Sequence, residues 1–208
     1  MADAARPAPR LMVFTDTTRA APALLLARFT SLAGLALRGS VLFTLRDYGL
    51  DIRARLALGA QLAVLAARTE QRFGVADRAD LGLALGCDAF HLPKSGLRAR
   101  DARSYFGPGV FLSRGCHSPA AESDPELDAL LLSPIFAARK GRAALGLGAF
   151  QRGCALSGAG PLRFALGAVD AHNAAACVAA GAAGVAVIGA ALAEDPEPLL
   201  SALGILRA

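Results

Sequence analysis

Short apolar runs alternate along the whole chain with longer amphipathic or alanine-rich stretches. The runs that predict β-strands are Leu11–Thr15, Val41–Arg46, Arg72–Ala76, Cys87–Leu92, Val110–Ser113, Ala129–Ser133, Arg163–Leu166 and Gly184–Ile188. They are near-continuous in apolar side chains instead of strictly alternating, the mark of strands covered on both faces in a parallel sheet. Helical patterns are expected over Pro22–Ala33, Ile52–Thr69, Ala79–Leu85, Ala99–Phe106, Pro119–Glu122, Leu147–Leu156, Ala171–Ala180 and Pro196–Leu206. The clearest is Ile52–Thr69, where Leu56, Leu58, Leu62 and Leu65 form the apolar side and arginines the other. Eight strands, each followed by a helix, predict a single-domain (β/α)8 TIM barrel; six would have predicted a doubly wound sheet. No linker or low-complexity break interrupts the pattern, so one domain is expected over 11–208 behind a short loose tail at 1–10.

Composition narrows the function classes. The chain has 208 residues, 54% of them apolar, and a mean hydropathy of +0.44, which excludes intrinsic disorder and demands a large core. No uninterrupted apolar run reaches the roughly 18 to 20 residues of a membrane span. The greasiest segment, Ala20–Leu37, is broken by Arg28, Thr30 and Ser31. MADAARPAPR is not followed by an apolar signal segment, so a cytoplasmic location is expected. The net charge of +5 is spread along the chain without a basic block, which argues against nucleic acid and leaves anionic small molecules as partners. Assembly into a homo-oligomer stays open. Cys87, Cys116, Cys154 and Cys177 are far apart and read as reduced, buried thiols, not as a zinc site or a disulfide framework.

The scarce polar residues then fall together. The chain has 20 arginines but only two lysines and three histidines. Lys94, Lys140, His91, His117 and His172 all lie at or just past the C-terminal ends of predicted strands, the face on which barrels of this kind carry chemistry. His117 suits acid–base work, although a capping histidine has the same sequence appearance. Cys116 beside it reads as a small buried hydrophobe. Asp77 is placed to hold a metal, to orient a base or to cap the next helix. Arg46 ends strand two, pointing into the site or paired, and Lys140 with Arg139 and Arg142 forms a basic loop able to close over an anion. Gly146–Gly148 and Gly158–Gly160 lack the preceding strand of a dinucleotide fingerprint. Strands seven and eight each stop at a glycine, Gly167 and Gly189, and turn towards helix. Such turns point free N–H groups at the positive end of a helix dipole and predict a phosphate site; turns that only relieve strain look the same locally.

Five segments in order resemble the family of thiamine phosphate synthase and its relative TenI, the thiazole tautomerase. Thr44–Asp47 resembles Q-x-R-x-K, Val75–Pro93 resembles N-D-R-x-D-L-A…G-x-H-L, and Gly115–Glu122 resembles S-x-H-S. Leu130–Phe136 resembles Y-x-x-x-G-P-x-F, and Arg163–Leu192 resembles the A-x-G-G-I…G-V-A-V-I stretch that closes the barrel. The resemblance implies a barrel that binds a thiazole phosphate, with His117 transferring protons and Arg46, Asp77, His91 and Lys140 lining the substrate site. It also implies that Gly167, Ala168 and Gly189 hold the phosphate, Ala168 replacing the second glycine of the pattern. For the synthase, which joins an aminopyrimidine diphosphate to a thiazole phosphate and expels pyrophosphate, it implies magnesium held by two aspartates. Here Asp77 has no second carboxylate within His91–Leu97; Tyr48 replaces a lysine, Gly115 a serine, and Phe136–Lys140 lacks a threonine. The departures favour tautomerase chemistry without a cofactor. The alternatives are a diverged synthase, with magnesium at Asp77, and a non-catalytic phosphate-ligand sensor.

Overall fold

A computed structural model describes residues 7–118, 124–139, 141–156, 158 and 160–208. Eight parallel strands close into a barrel in chain order: β1 Leu11–Phe14, β2 Val41–Leu45, β3 Arg72–Ala76, β4 Ala89–Leu92, β5 Phe111–Cys116, β6 Ala129–Leu132, β7 Leu162–Leu166 and β8 Gly184–Val187. The last ladder joins β1 to β8, with Leu11 opposite Val185 and Val13 opposite Val187. Side chains alternate between two cores, as the pleat requires. Met12, Phe14, Leu42, Phe111, Leu131 and Phe164 fill the barrel axis. Their sequence neighbours, such as Val13, Phe43, Leu112 and Leu130, pack outwards against the helices.

The helices are α1 Pro22–Leu35, α2 Ile52–Arg68, α3 Ala79–Ala84, α4 Ala99–Phe106, α5 Gly146–Ala155, α6 Ala174–Ala179 and α7 Glu197–Ala202. The helix expected over Pro119–Glu122 lies outside the described residues. In α2 the buried stripe is Arg55, Leu58, Leu62 and Leu65, while Leu56, expected inside, is 41% exposed. Gly59 lets this helix approach the barrel: a Cβ there would lie 2.6 Å from Leu85 Cδ1 and 2.9 Å from Leu45 Cδ2. Helix α6 starts later than expected because the Asn173 side chain accepts from Asp170 N and the Asp170 side chain accepts from His172 N. These local bonds compete with the first helical turn. Helix α7 stops at Gly204 (φ 64°), where Ile205 N donates to Leu200 O and Gly204 N to Ser201 O, a Schellman closure. Strand β5 runs on through Arg114 and Gly115 to Cys116, which carries His117 to the rim. No helix among the described residues is long and apolar enough to cross a membrane.

The N-terminal end of the barrel is plugged by the chain before β1. Arg10 N donates to Ser40 O, Val185 N donates to Arg10 O, and Arg72 Nη2 donates to Pro7 O. Gly184 makes room for this segment, since a Cβ there would sit 2.2 Å from Arg10 O. The remainder of the expected tail, residues 1–6, lies outside the described residues. Gly184→Ala is expected to lower unfolding free energy by about 2 kcal/mol or more, the cost of overpacking against backbone. Gly34→Ala, in open space on α1, is expected to raise it by about 0.5–1 kcal/mol. Urea denaturation of the two variants checks both signs.

Candidate functional site

The rim at the C-terminal strand ends collects the candidate residues because β-alternation turns every second side chain inwards. His91 on β4 lies opposite Ser113 on β5, and its Nδ1 is 2.9 Å from Ser113 Oγ. The Phe14 ring meets it edge-on, with centroids 5.1 Å apart and planes at 74°. Gly115 leaves the space beside Nε2 open: a Cβ there would still lie 3.9 Å away. Burial, then the Arg46 and Arg114 charges, push the His91 pKa down from 6.5 to about 4. The ring is therefore neutral at pH 7.

His117 stands just past β5, half-buried, with Nδ1 2.8 Å from Ser133 O. A carbonyl oxygen only accepts, so Nδ1 carries the proton and the neutral ring keeps its lone pair on Nε2. This is the arrangement of a general base oriented by the backbone.

Asp16, directly after β1, organises the opposite side of the rim. Its carboxylate accepts from Arg46 Nη2 at 3.1 Å and from the Thr18 side chain, and lies 3.5 Å from Arg19 Nε. Burial raises its pKa, but Thr18 and Arg46 outweigh this and hold it below 3.8. Arg46 is thus both paired and at the mouth. Tyr48 lies 5.7 Å from the Arg46 guanidinium and 5.5 Å from that of Arg55, which is buried and donates to Ala76 O at 2.7 Å. Asp77 follows in the left-handed region (φ 71°) and is exposed. It does not cap α3, whose N-cap is Arg78 without a side-chain cap bond.

The loops after β6, β7 and β8 enclose a cavity of about 610 Å³, lined by Arg19, Arg139, Gly167, Ala168, Gly189 and Ala190 among others. Gly167 has φ 109°, and a Cβ there would meet Pro134 Cα at 2.8 Å, so only glycine fits. Ala168 adopts the left-handed conformation (φ 54°) despite its side chain. That strain, roughly 1–2 kcal/mol, is offset in part by the Asn173 amide, which donates to Ala168 O at 2.9 Å. Gly189 opens a short 3-10 helix, Gly189–Leu192, whose first N–H groups have no partner within it. A Cβ at Gly189 would lie 3.3 Å from Arg19 Nη1, so the arginine overhangs this turn. The cavity therefore combines backbone donors with the Arg19 guanidinium, and Arg139 lines it as well, the chemistry of an anion cup.

The structure brings Arg46, Asp77, His91, His117, Gly167, Ala168 and Gly189 to one rim. Lys140 lies outside the described residues, although Arg139 beside it lines the cup. Lys94 and His172 are exposed on the loops after β4 and β7. Asp16, Arg19, Ser113 and Asn173 escaped the sequence reading. The run Asp16-Thr17-Thr18-Arg19 after the first strand is the signal that would have found two of them.

A magnesium ion of the kind the resemblance implies finds a poor donor set here. Among the described residues no three of His, Cys, Asp or Glu gather closely enough to share an ion. Asp16 is bound to Arg46, Asp47 accepts from Thr17 N through Oδ1 while its buried Oδ2 has no hydrogen-bond partner among the described residues, and a hydrogen bond from Arg78 pulls Asp80 down to about 2. The loop after β4 offers Pro93, Lys94 and Ser95 in place of a carboxylate. With no carboxylate in the loop after β4, the two-aspartate site that the resemblance implies is incomplete.

The burial of His91 has a stability consequence with a definite sign. Its folded pKa lies below the unfolded value, so the folded state is favoured above pH 6.5 and loses that advantage as pH falls towards about 4. The gap corresponds to roughly 3 kcal/mol in full, of which about 2 kcal/mol falls between pH 7 and pH 5. His91→Gln is expected to flatten this part of the pH dependence, as measured by chemical denaturation at the two pH values.

Residues 11–191 match the profile of the thiamine monophosphate synthase family. The chain is 35% identical over 214 residues to the thiamine-phosphate synthase of Mycobacterium bovis, covering 93% of this chain and 94% of that one. It is also 35% identical over 164 residues to the thiamine-phosphate synthase of Gloeobacter violaceus, covering 76% of this chain and about half (48%) of that longer protein. In structure it is similar to the thiamine phosphate pyrophosphorylase from Pyrococcus furiosus, with a TM-score of 0.78 at 24% identity, covering 94% of this chain and 95% of that one; this likeness shows the fold. The chain belongs to the thiamine monophosphate synthase family.

Proposed function

We propose that this protein is a transferase of the thiamine-phosphate synthase kind, holding a thiazole phosphate with its phosphate in the Gly167–Ala168 and Gly189 cup and its ring towards His91 and His117. The observation that carries the reading is the cup itself: left-handed Ala168, the Gly189 turn, Arg19 and Arg139 surround one cavity. The names of relatives at 35% identity support the transferase half. In that reaction a C–O bond of the aminopyrimidine diphosphate breaks, a bond to the thiazole forms, and pyrophosphate leaves. Arg46 and Arg55 are the cations on the β2–β3 side that would offset the leaving group's charge, with Asp77 and Lys140 as further substrate contacts. No step is assigned to a metal ion.

Tautomerase chemistry stands second, on a specific observation. The Ser133 carbonyl leaves His117 Nε2 as the basic nitrogen, and one carboxylate replaces the pair that metal-assisted pyrophosphate release asks for. Shifting a proton around a thiazole carboxylate needs the anion cup, a cation and one base.

The deciding experiment supplies both synthase substrates, with and without magnesium, and follows pyrophosphate and thiamine phosphate. In parallel, a thiazole carboxylate phosphate is followed by NMR for proton migration. Formation of thiamine phosphate is the expected result. Proton migration alone would transfer the assignment to the tautomerase, and binding without either reaction would leave a ligand sensor. Arg19→Gln is expected to weaken thiazole phosphate binding about tenfold by calorimetry, the loss of one charge-assisted bond. If the tautomerase reaction is present, His117→Gln is expected to slow it at least about 100-fold with binding of the phosphate retained.

A further inference from the structure

We propose that His91 is a specificity-determining hydrogen-bond donor, fixed by Ser113 as its Nε2–H tautomer and aimed at an acceptor atom of the bound heterocycle over Gly115. The inference rests on the reading above for what is bound, but not for the state of the ring.

The tautomer follows from where the Ser113 proton can go. Ser113 is 1% exposed, and among the described residues His91 Nδ1 is the hydrogen-bond partner of its Oγ. A buried hydroxyl needs an acceptor for its hydrogen. If Nδ1 carried the imidazole proton, the ring would donate to Oγ and the serine hydrogen would be left without a partner, at a cost of about 1–3 kcal/mol. Ser113 therefore donates, Nδ1 accepts, and the neutral ring carries its proton on Nε2.

Geometry sends that proton to the ligand side. Phe14 covers one flank of the ring. The adjacent inward position on β5 is Gly115, whose missing side chain leaves space within reach of Nε2. His117 follows two residues later on the same strand end. The charged groups around the ring, Arg46 from β2 and Arg114 from β5, both disfavour the imidazolium, which keeps it a donor of one hydrogen and not a cation. The two histidines thus present opposite Nδ1 roles: that of His117 donates to Ser133 O, and that of His91 accepts from Ser113. A heterocycle lying between them meets one acceptor and one donor. A site built this way rejects a ligand that puts a hydrogen or an apolar edge against His91, because a buried donor would lose its partner.

The test uses the full-length protein with ¹⁵N-labelled histidine, whose three side chains are assigned with His91→Gln, His117→Gln and His172→Gln. Long-range ¹H–¹⁵N spectra at pH 7 are expected to show His91 with a protonated Nε2 and an unprotonated Nδ1, and His117 with a protonated Nδ1. Ser113→Ala is expected to release His91 into a mixture of tautomers, and Ser113→Thr to restore the single one. Adding hydroxyethylthiazole phosphate is expected to shift the His91 Nε2 resonance, and Ser113→Ala to weaken its binding about tenfold. A His91 ring protonated on Nδ1 or cationic at pH 7 overturns the proposal, as does binding that leaves Nε2 unmoved. If the thiazole phosphate does not bind, the functional reading fails, while the free-protein spectrum still decides the tautomer.

Discussion

Closure of the barrel between β1 and β8 is the constraint on which everything else rests. In an open sheet the rim after β1 would lie far from the turns after β7 and β8. The ladder pairing Leu11 with Val185 and Val13 with Val187 brings them together, so Arg19 overhangs Gly189. The same closure is locked at the other end by Arg10, whose backbone bridges Ser40 and Val185 above Gly184. Parallel strands of both faces buried cannot stand alone, and each one here is secured by two neighbours and a covering layer of helix or loop.

Asp16 turns this architecture into an electrostatic arrangement. Its nearly buried carboxylate holds Arg46, facing His91, and approaches Arg19, facing the anion cup. One acid thus engages two guanidinium groups at the mouth.

The fold was legible because its signals are local and repeated: unit after unit shows the apolar run, the turn and the amphipathic stretch. Where the reading slipped, a side chain competed with the backbone, as Asp170 and Asn173 do at the start of α6. In α2 it slipped because helical phase is set by what the barrel accepts; Arg55 reaches Ala76 O and Leu56 takes the solvent side. Of the site, His91, His117, Arg46 and the two glycine turns were visible by their place at strand ends. Asp16, Ser113 and Asn173 were not, because each acts through a partner remote or offset in sequence: Arg46, His91 and Ala168.

The amino-acid sequence by itself determined the eight-stranded barrel, the face that carries the polar residues, and the glycines that end strands seven and eight. It did so because strand period, turn chemistry and burial are read from neighbouring residues. Only the tertiary structure decided that Ala168 can stand in a left-handed turn held by Asn173, and that Nδ1 of each rim histidine meets a different partner, Ser113 Oγ at His91 and Ser133 O at His117. Those outcomes depend on which donor and acceptor meet across strands, and closure of the barrel fixes that.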